Sequence, residues 1–184
     1  MSTPGPALTL GQMVDRSAAR FPDREAVVFK GERISYADLK RRVDDFARGL
    51  LGLGLGPGDH VVLWMPNCVE WNVANLAIAK IGAVTVTCNS RYKALEVEYV
   101  LRQSGARGVV MVDRFAAASI DYLEILSEAR AIAGGLPGVR HVIVLGDRRP
   151  ANGVGFAEVE RAGRAGGPSL DAITVRPDDP VEML

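Results

Sequence analysis

This sequence is poor in the residue types that announce most chemistries. It holds two cysteines, Cys68 and Cys88, and two histidines, His60 and His141. The cysteines form no CxxC and have no histidine at ligand spacing, so neither a zinc site nor a disulfide framework is suggested and reduced thiols in a cytoplasmic protein are the expectation. No excess of one charge exists either, with 22 basic against 22 acidic residues. Nothing in that balance draws in nucleic acid or an anionic membrane surface. Long apolar runs are also missing. The most apolar stretch, Val73 to Val86, is interrupted by Asn75 and Lys80 and is too short to span a bilayer. The opening "MSTPGPALTL" lacks a basic region ahead of an apolar core, so it does not read as a secretory signal.

Several catalytic signatures are absent as well. No G-x-S-x-G elbow presents a serine nucleophile, and no lysine follows a glycine run in the manner of a phosphate-binding loop. His60 and His141 stand at the starts of apolar strands, far apart in sequence. Asp178-Asp179, between two prolines, reads as a turn and not as a metal site. Cys68 falls at the start of a helix, where a thiol pKa can drop, but it has no basic partner in sequence. No catalytic residue and no metal ligand is assigned.

What the sequence does have is glycine, most densely in "LLGLGLGPGD" at residues 50–59. A phosphate-cradling loop must follow a strand and open a helix, because the anion sits on free N–H groups at the helix N-terminus. Here a helix runs into the glycines and a strand follows. The free groups at that helix end are carbonyls, Pro57 forbids continuation, and the G-x-G-x-x-G spacing fails. The stretch is expected to be a tight helix-to-strand connection.

The 184 residues suffice for one compact domain or slightly more. Thr9 can cap a helix whose apolar residues Leu10, Met13, Val14 and Ala18 fall on one face, and "AVVFKGERISY" forms a hairpin about Lys30-Gly31-Glu32. Ser35, three residues before Asp38, opens a helix burying Leu39, Val43, Phe46, Ala47 and Leu50. Lys40-Arg41-Arg42 on that helix reads as solvated surface. From residue 60 the rhythm changes to alternating strands and helices: strands at 60–65, 84–87, 108–112 and 141–145, helices from a cap pair Asn67/Glu70 to about Ile81, at 93–103 and at 117–133. Such alternation implies an α/β fold, a mostly parallel sheet with helices on both faces, preceded by the first helix and hairpin. "GDRRPANGVG" and "RAGRAGGPSL" read as loops flanking a short helix at Phe156 to Arg161. Trp64 and Trp71 read as core. Ligands of such sheets gather beyond the carboxyl ends of the strands. Arg91 and Arg114 each lie just past such an end, where either can meet a phosphate as a point charge.

The order of segments over about residues 8 to 184 resembles the N-terminal portion of the adenylate-forming superfamily of acyl-CoA synthetases, luciferases and peptide-synthetase adenylation domains. "SYADL" resembles its first core motif and "AKIGAVTVTCNSR" its second. Asn-Ser-Arg after the second motif is more similar to acyl-CoA synthetases, which favours a fatty or other carboxylic acid over an amino acid. The resemblance implies ATP, magnesium and CoA as cofactors of a full-length enzyme, and Arg114 as a candidate contact to a CoA phosphate. It also implies that later motifs are missing: the Ser/Thr/Gly-rich loop ending in Pro-Lys-Gly, an acidic motif for magnesium and ribose, and a small C-terminal domain with a catalytic lysine. The chain is thus expected to be an incomplete N-terminal fragment. Its parts would be residues 1–55, whose sheet later sequence completes, an α/β subdomain at 56–150, and a loop-rich connection at 151–184. Alone it is expected to bind no cofactor tightly, to show no turnover, and to oligomerise through exposed apolar surface. The alternative is a stand-alone doubly wound binding module acting at the ends of the Thr87 and Val112 strands.

Overall fold

The computed structural model describes residues 7–132 and 134–184. Helix α1 (Leu10–Arg20) begins at a reciprocal cap: Thr9 Oγ1 accepts the Gln12 N–H and Gln12 Oε1 accepts the Thr9 N–H. Strands β1 (Glu25–Phe29) and β2 (Glu32–Ser35) form an antiparallel hairpin turned by Lys30 and Gly31, both at positive φ. Helix α2 (Tyr36–Gly52) starts where Ser35 Oγ accepts the Asp38 N–H, as the sequence predicts.

A regular alternation then builds the sheet. Strand β3 (His60–Trp64) leads to α3 (Val69–Lys80), β4 (Val84–Thr87) to α4 (Ala94–Gln103), and β5 (Gly108–Val112) to a small excursion. That excursion is an antiparallel pair, β6 (Arg114–Phe115) and β7 (Ile120–Asp121), joined by a 3-10 turn at Ala116–Ala118. It replaces the first turns of the helix expected from residue 117. Ser119 sits at φ 52, in the left-handed region that helix cannot pass through. Helix α5 (Tyr122–Ile132) follows; Ala133, the expected end of that helix, lies outside the described residues. Strands β8 (His141–Leu145) and β9 (Gly153–Gly155), helix α6 (Phe156–Arg164), a 3-10 turn at Leu170–Ala172 and β10 (Glu182–Met183) complete the order.

The main sheet runs β10-β4-β3-β5-β8-β9, with every neighbouring pair parallel. Parallel strands covered on both faces need continuous apolar runs, and β3 and β5 supply them, burying Val61 to Trp64 and Gly108 to Val112. Helices α2, α3 and α6 pack together on one face and α4 with α5 on the other; α1 lies over α2 and α3. The connection from β3 steps to β4, whereas that from β5 steps the opposite way to β8. Right-handed crossovers therefore place α3 and α5 on opposite faces, and the sheet switches direction between β3 and β5.

Three expectations on the α2 side need correction. First, Lys40-Arg41-Arg42 is not simply a solvated surface. Arg42, 17% exposed at its side chain, is bound at 2.9 Å to both Glu70 of α3 and Glu160 of α6. Lys40 joins Asp15, Asp44 and Lys80 in a network that ties α1 to α2 and α3. Buried carboxylates require such partners. Second, α6 runs on to Arg164 because Gly163 is a helix-packing residue and not a loop breaker: a Cβ there would overlap the Asp45 carbonyl oxygen of α2. Phe46 and Phe156 stack across the same contact with centroids 4.2 Å apart. Third, the N-cap of α3 is Cys68, with no side-chain capping bond, so the expected Asn67/Glu70 pair does not form and Glu70 serves Arg42 instead. The segment expected as loop at 146–155 also contributes β9, a short parallel edge strand.

Candidate functional site at the carboxyl edge of the sheet

The glycine run is closed to phosphate by its own hydrogen bonds. The Gly54 N–H donates to Leu51 O at 2.9 Å, Gly58 N–H to Gly82 O at 2.8 Å, and Gly56 N–H to Asp59 Oδ2 at 3.0 Å. Gly54 and Gly58 take positive φ, and Leu55 between them is buried against Gly108. No N–H of these three glycines is left to face an anion, and the segment is the connector that the sequence predicts.

His60 and His141 sit at the amino edge of the sheet. The His60 Nδ1 contacts the Ser104 carbonyl oxygen at 2.5 Å, so Nδ1 is the protonated nitrogen there. Burial, then the nearby Arg140, lowers the His141 pKa below its ordinary value. A polar hollow of about 690 Å³ lies beside α1 and is lined by Asp15, Lys40, Asp44 and Lys80 among others. Its lysines are already paired with its carboxylates Asp15 and Asp44, so neither cation is free for a ligand. Cys68 and Cys88 are free, and burial pushes their thiols up to about 11 and about 12. The lowered pKa that a helix start can give Cys68 is therefore overturned by desolvation, and neither sulfur is an activated nucleophile.

The opposite, carboxyl edge has a different character. Arg91, in the loop after β4, and Arg114, at the start of β6, are both exposed. Neither forms an ion pair among the described residues, whose salt bridges go to other arginines and lysines. Arg148, after β8, is committed to structure. Its Nη2 donates to Asp121 Oδ2 at 2.8 Å and its Nε lies 3.7 Å from the buried Asp113 carboxylate. That pairing, with burial opposing it, holds the Asp121 carboxyl below its ordinary value. Asp113 itself rests on Gly146, where any Cβ would overlap its carboxylate.

Beneath the β4–α4 loop lie two aromatic donors that sequence reasoning assigned only to core or missed. Trp64 Nε1 donates to Asn89 O at 3.2 Å and Tyr122 Oη donates to Ser90 O at 2.8 Å. Their rings stand 4.4 Å apart, tilted by 47°. Trp71 is half-buried against the core, in keeping with expectation. Asp178 and Asp179 do form a turn, in which Asp179 Oδ2 accepts the Arg176 N–H at 2.8 Å. Among the described residues no group of three His, Cys, Asp or Glu side chains is arranged to hold a metal ion, and no helix is long and apolar enough to cross a membrane.

Two exposed arginines thus stand at the carboxyl edge of the parallel sheet, Arg91 after β4 and Arg114 after β5. Residues 14–183 match the AMP-binding enzyme family. The chain belongs to that family. Among its relatives, the mitochondrial medium-chain acyl-CoA ligase ACSF2 of Mus musculus is 42% identical over 122 residues, 65% of this chain and 20% of that protein. A salicyl-AMP ligase / salicyl-S-ArCP synthetase of Mycobacterium tuberculosis is 39% identical, over 77% of this chain and 25% of the relative. The solved N-terminal domain of FACL13 from M. tuberculosis superimposes with a TM-score of 0.75 at 28% identity, over 95% of this chain and 41% of that one. The chain thus spans a quarter or less of these two curated relatives. Family membership sets aside the unrelated doubly wound binding module.

Proposed function

We propose that these residues form the scaffold part of an enzyme that activates a carboxylic acid, of fatty type, with ATP and passes the acyl group to the thiol of CoA. A carboxylate is a poor electrophile until its oxygen becomes a leaving group, and adenylation supplies one with loss of pyrophosphate. The observation that carries the reading is the family match across residues 14–183. The Asn89-Ser90-Arg91 segment after β4 supports a CoA-type acceptor and an acyl rather than aminoacyl substrate.

The groups implied by the family fit this chain unequally. The glycine run at residues 50–59 does not cradle the ATP phosphates, since the N–H groups of Gly54, Gly56 and Gly58 are spent internally. No step through ATP or magnesium is assigned to these residues. CoA is different, because its phosphates need exposed cations at a ligand edge, and Arg114 and Arg91 provide them. Their contribution is to bind and orient the acceptor by charge. The chain alone then carries no reacting group and is expected to be inactive, and its setting is the cytoplasm. Exposed apolar side chains on α4, Leu95 at 66% and Tyr99 at 56%, favour self-association of the isolated chain.

The test is carboxylate-dependent exchange of labelled pyrophosphate into ATP, run on the 184-residue chain and on any longer product that its reading frame encodes. Exchange by the longer product alone, with fatty acids preferred over amino acids, is the expected result. Exchange by the 184-residue chain itself would refute the scaffold reading.

A further inference from the structure

Tyr122, the first residue of α5, is fully buried, yet it carries a phenol that an apolar core does not need. A buried hydroxyl is costly unless bonded, so its partner identifies its use. Its Oη donates to Ser90 O at 2.8 Å, in the loop that carries Arg91. Its backbone N–H donates to Asp113 O at 3.0 Å, one residue before Arg114. A single residue therefore holds both arginine loops, one by its side chain and one by its main chain.

The rest of the β4–α4 loop is held from the same side. Trp64 Nε1 takes the neighbouring carbonyl, Asn89 O, and the Cys88 N–H donates to Leu63 O at 3.1 Å. Asn89 Oδ1 accepts the Arg91 N–H at 2.9 Å, and Asn89 O also accepts the Tyr92 N–H at 3.1 Å. Cys88, Asn89 and Ser90 are thus each pinned inward by a bond, Arg91 is tied to them through the Asn89 side chain, and the Arg91 side chain remains exposed. Burial pushes the Tyr122 hydroxyl up to about 12, against smaller lowering effects of its Ser90 bond and of the Arg91 charge.

We infer that Tyr122, assisted by Trp64, is a positioning residue that sets the spacing of Arg91 and Arg114 so that both meet the phosphates of one CoA-type ligand. The inference rests on the reading of the carboxyl edge given under Proposed function. An arginine on an unpinned loop loses ordering entropy each time it binds, and a pinned loop has lost it already.

The experiment uses the 184-residue chain with two separate readouts. Amide hydrogen exchange at Arg91 and Tyr92 reports the loop, and calorimetric titration with CoA reports the ligand. Tyr122→Phe keeps the ring and the backbone bond and removes only the hydroxyl donor. We expect exchange at Arg91 and Tyr92 to accelerate roughly tenfold, with the Tyr122 amide unchanged, and CoA affinity to fall roughly five- to tenfold. In an Arg91→Ala background the same substitution should cost no further affinity, a non-additivity that a merely structural loss would not produce. Asn89→Ala, at an exposed position, removes the Arg91 N–H acceptor without touching the core and should reproduce both effects. Unchanged exchange in Tyr122→Phe and Asn89→Ala, or additive losses with Arg91→Ala, overturns the positioning role. Failure of the wild-type chain to bind CoA at all overturns the ligand and the edge reading together, and the exchange data still judge the pinning by itself.

Discussion

Gly163→Ala in α6 gives a sharp test of how the helical layer is assembled, because local and tertiary effects predict opposite signs. Alanine is favoured over glycine in a helix by about 1 kcal/mol, so an isolated α6 would gain. In the fold, the new Cβ would overlap the Asp45 carbonyl oxygen and sit 2.7 Å from the Gly49 nitrogen. Both obstacles are backbone atoms of α2, which cannot swing aside, so α6 has to retreat. A retreat of roughly 1 Å forfeits up to about half of the facing dispersion energy. It also loosens the Phe46–Phe156 stack, worth about 1 kcal/mol, and the Arg42–Glu160 and Arg164–Asp45 pairs. Overpacking of this kind costs about 1–3 kcal/mol. Adding the stack and subtracting the propensity gain, which cancel, leaves a net loss of about 1–3 kcal/mol, or roughly 2–12 °C in Tm for a chain of this size. Urea unfolding followed by circular dichroism measures it. The control is Gly52→Ala at the end of α2, where a Cβ meets nothing within 4 Å, and where stability should hold or rise by up to about 1 kcal/mol. A Gly163→Ala chain as stable as wild type would refute the claim that α2 and α6 meet backbone to backbone.

Three further expectations follow from the charge network, the thiols and the carboxyl edge. Burial raises the Asp44 carboxyl pKa, but the bonds from Lys40 and Lys80 outweigh it and hold the group below its ordinary value of 3.8. A depressed carboxylate contributes stability above its unfolded pKa that is lost as pH falls through the folded one. Lys80→Met should therefore cost about 3 kcal/mol at neutral pH and move the acid-unfolding midpoint upward; an unchanged midpoint would mean Lys40 alone suffices. With thiols pushed up to about 11 and about 12, Cys68 and Cys88 should alkylate at pH 8 at least about 100-fold more slowly in the folded chain than in urea, as mass spectrometry can follow, and near-equal rates would contradict their burial. Gly146→Ala combines a φ of 142 with overlap of the Asp113 carboxylate; it should destabilise by about 2–3 kcal/mol and release the Arg148–Asp113 contact, seen as a lower Tm that Arg148→Ala does not lower much further.

What the sequence makes legible here is what short spacing controls. The Thr9 and Ser35 caps each act on the residue three positions on, and both form as expected. The buried runs of β3 and β5 and the alternation of strands with helices lead to the parallel sheet, and with it to the edge where Arg91 and Arg114 stand. Most of the errors come from partners far away in the chain, and one comes from a local strand pairing. Arg42 reads as solvated until Glu70 and Glu160, 28 and 118 residues distant, are seen to take it. Gly163 reads as a breaker because nothing nearby shows that α2 comes to its Cα. Residues 117–121 read as helix because an alanine run and apolar spacing say so, while the pairing of Arg114 with Asp121 wins in the fold. The site divides the same way. Strand ends and exposed arginines can be found from local pattern, whereas the group that relates the two arginines, Tyr122, lies 32 residues from the carbonyl it holds. The loop that carries Arg91 is held by such long-range bonds, so the residues that set its geometry are those a linear reading assigns to the core or passes over.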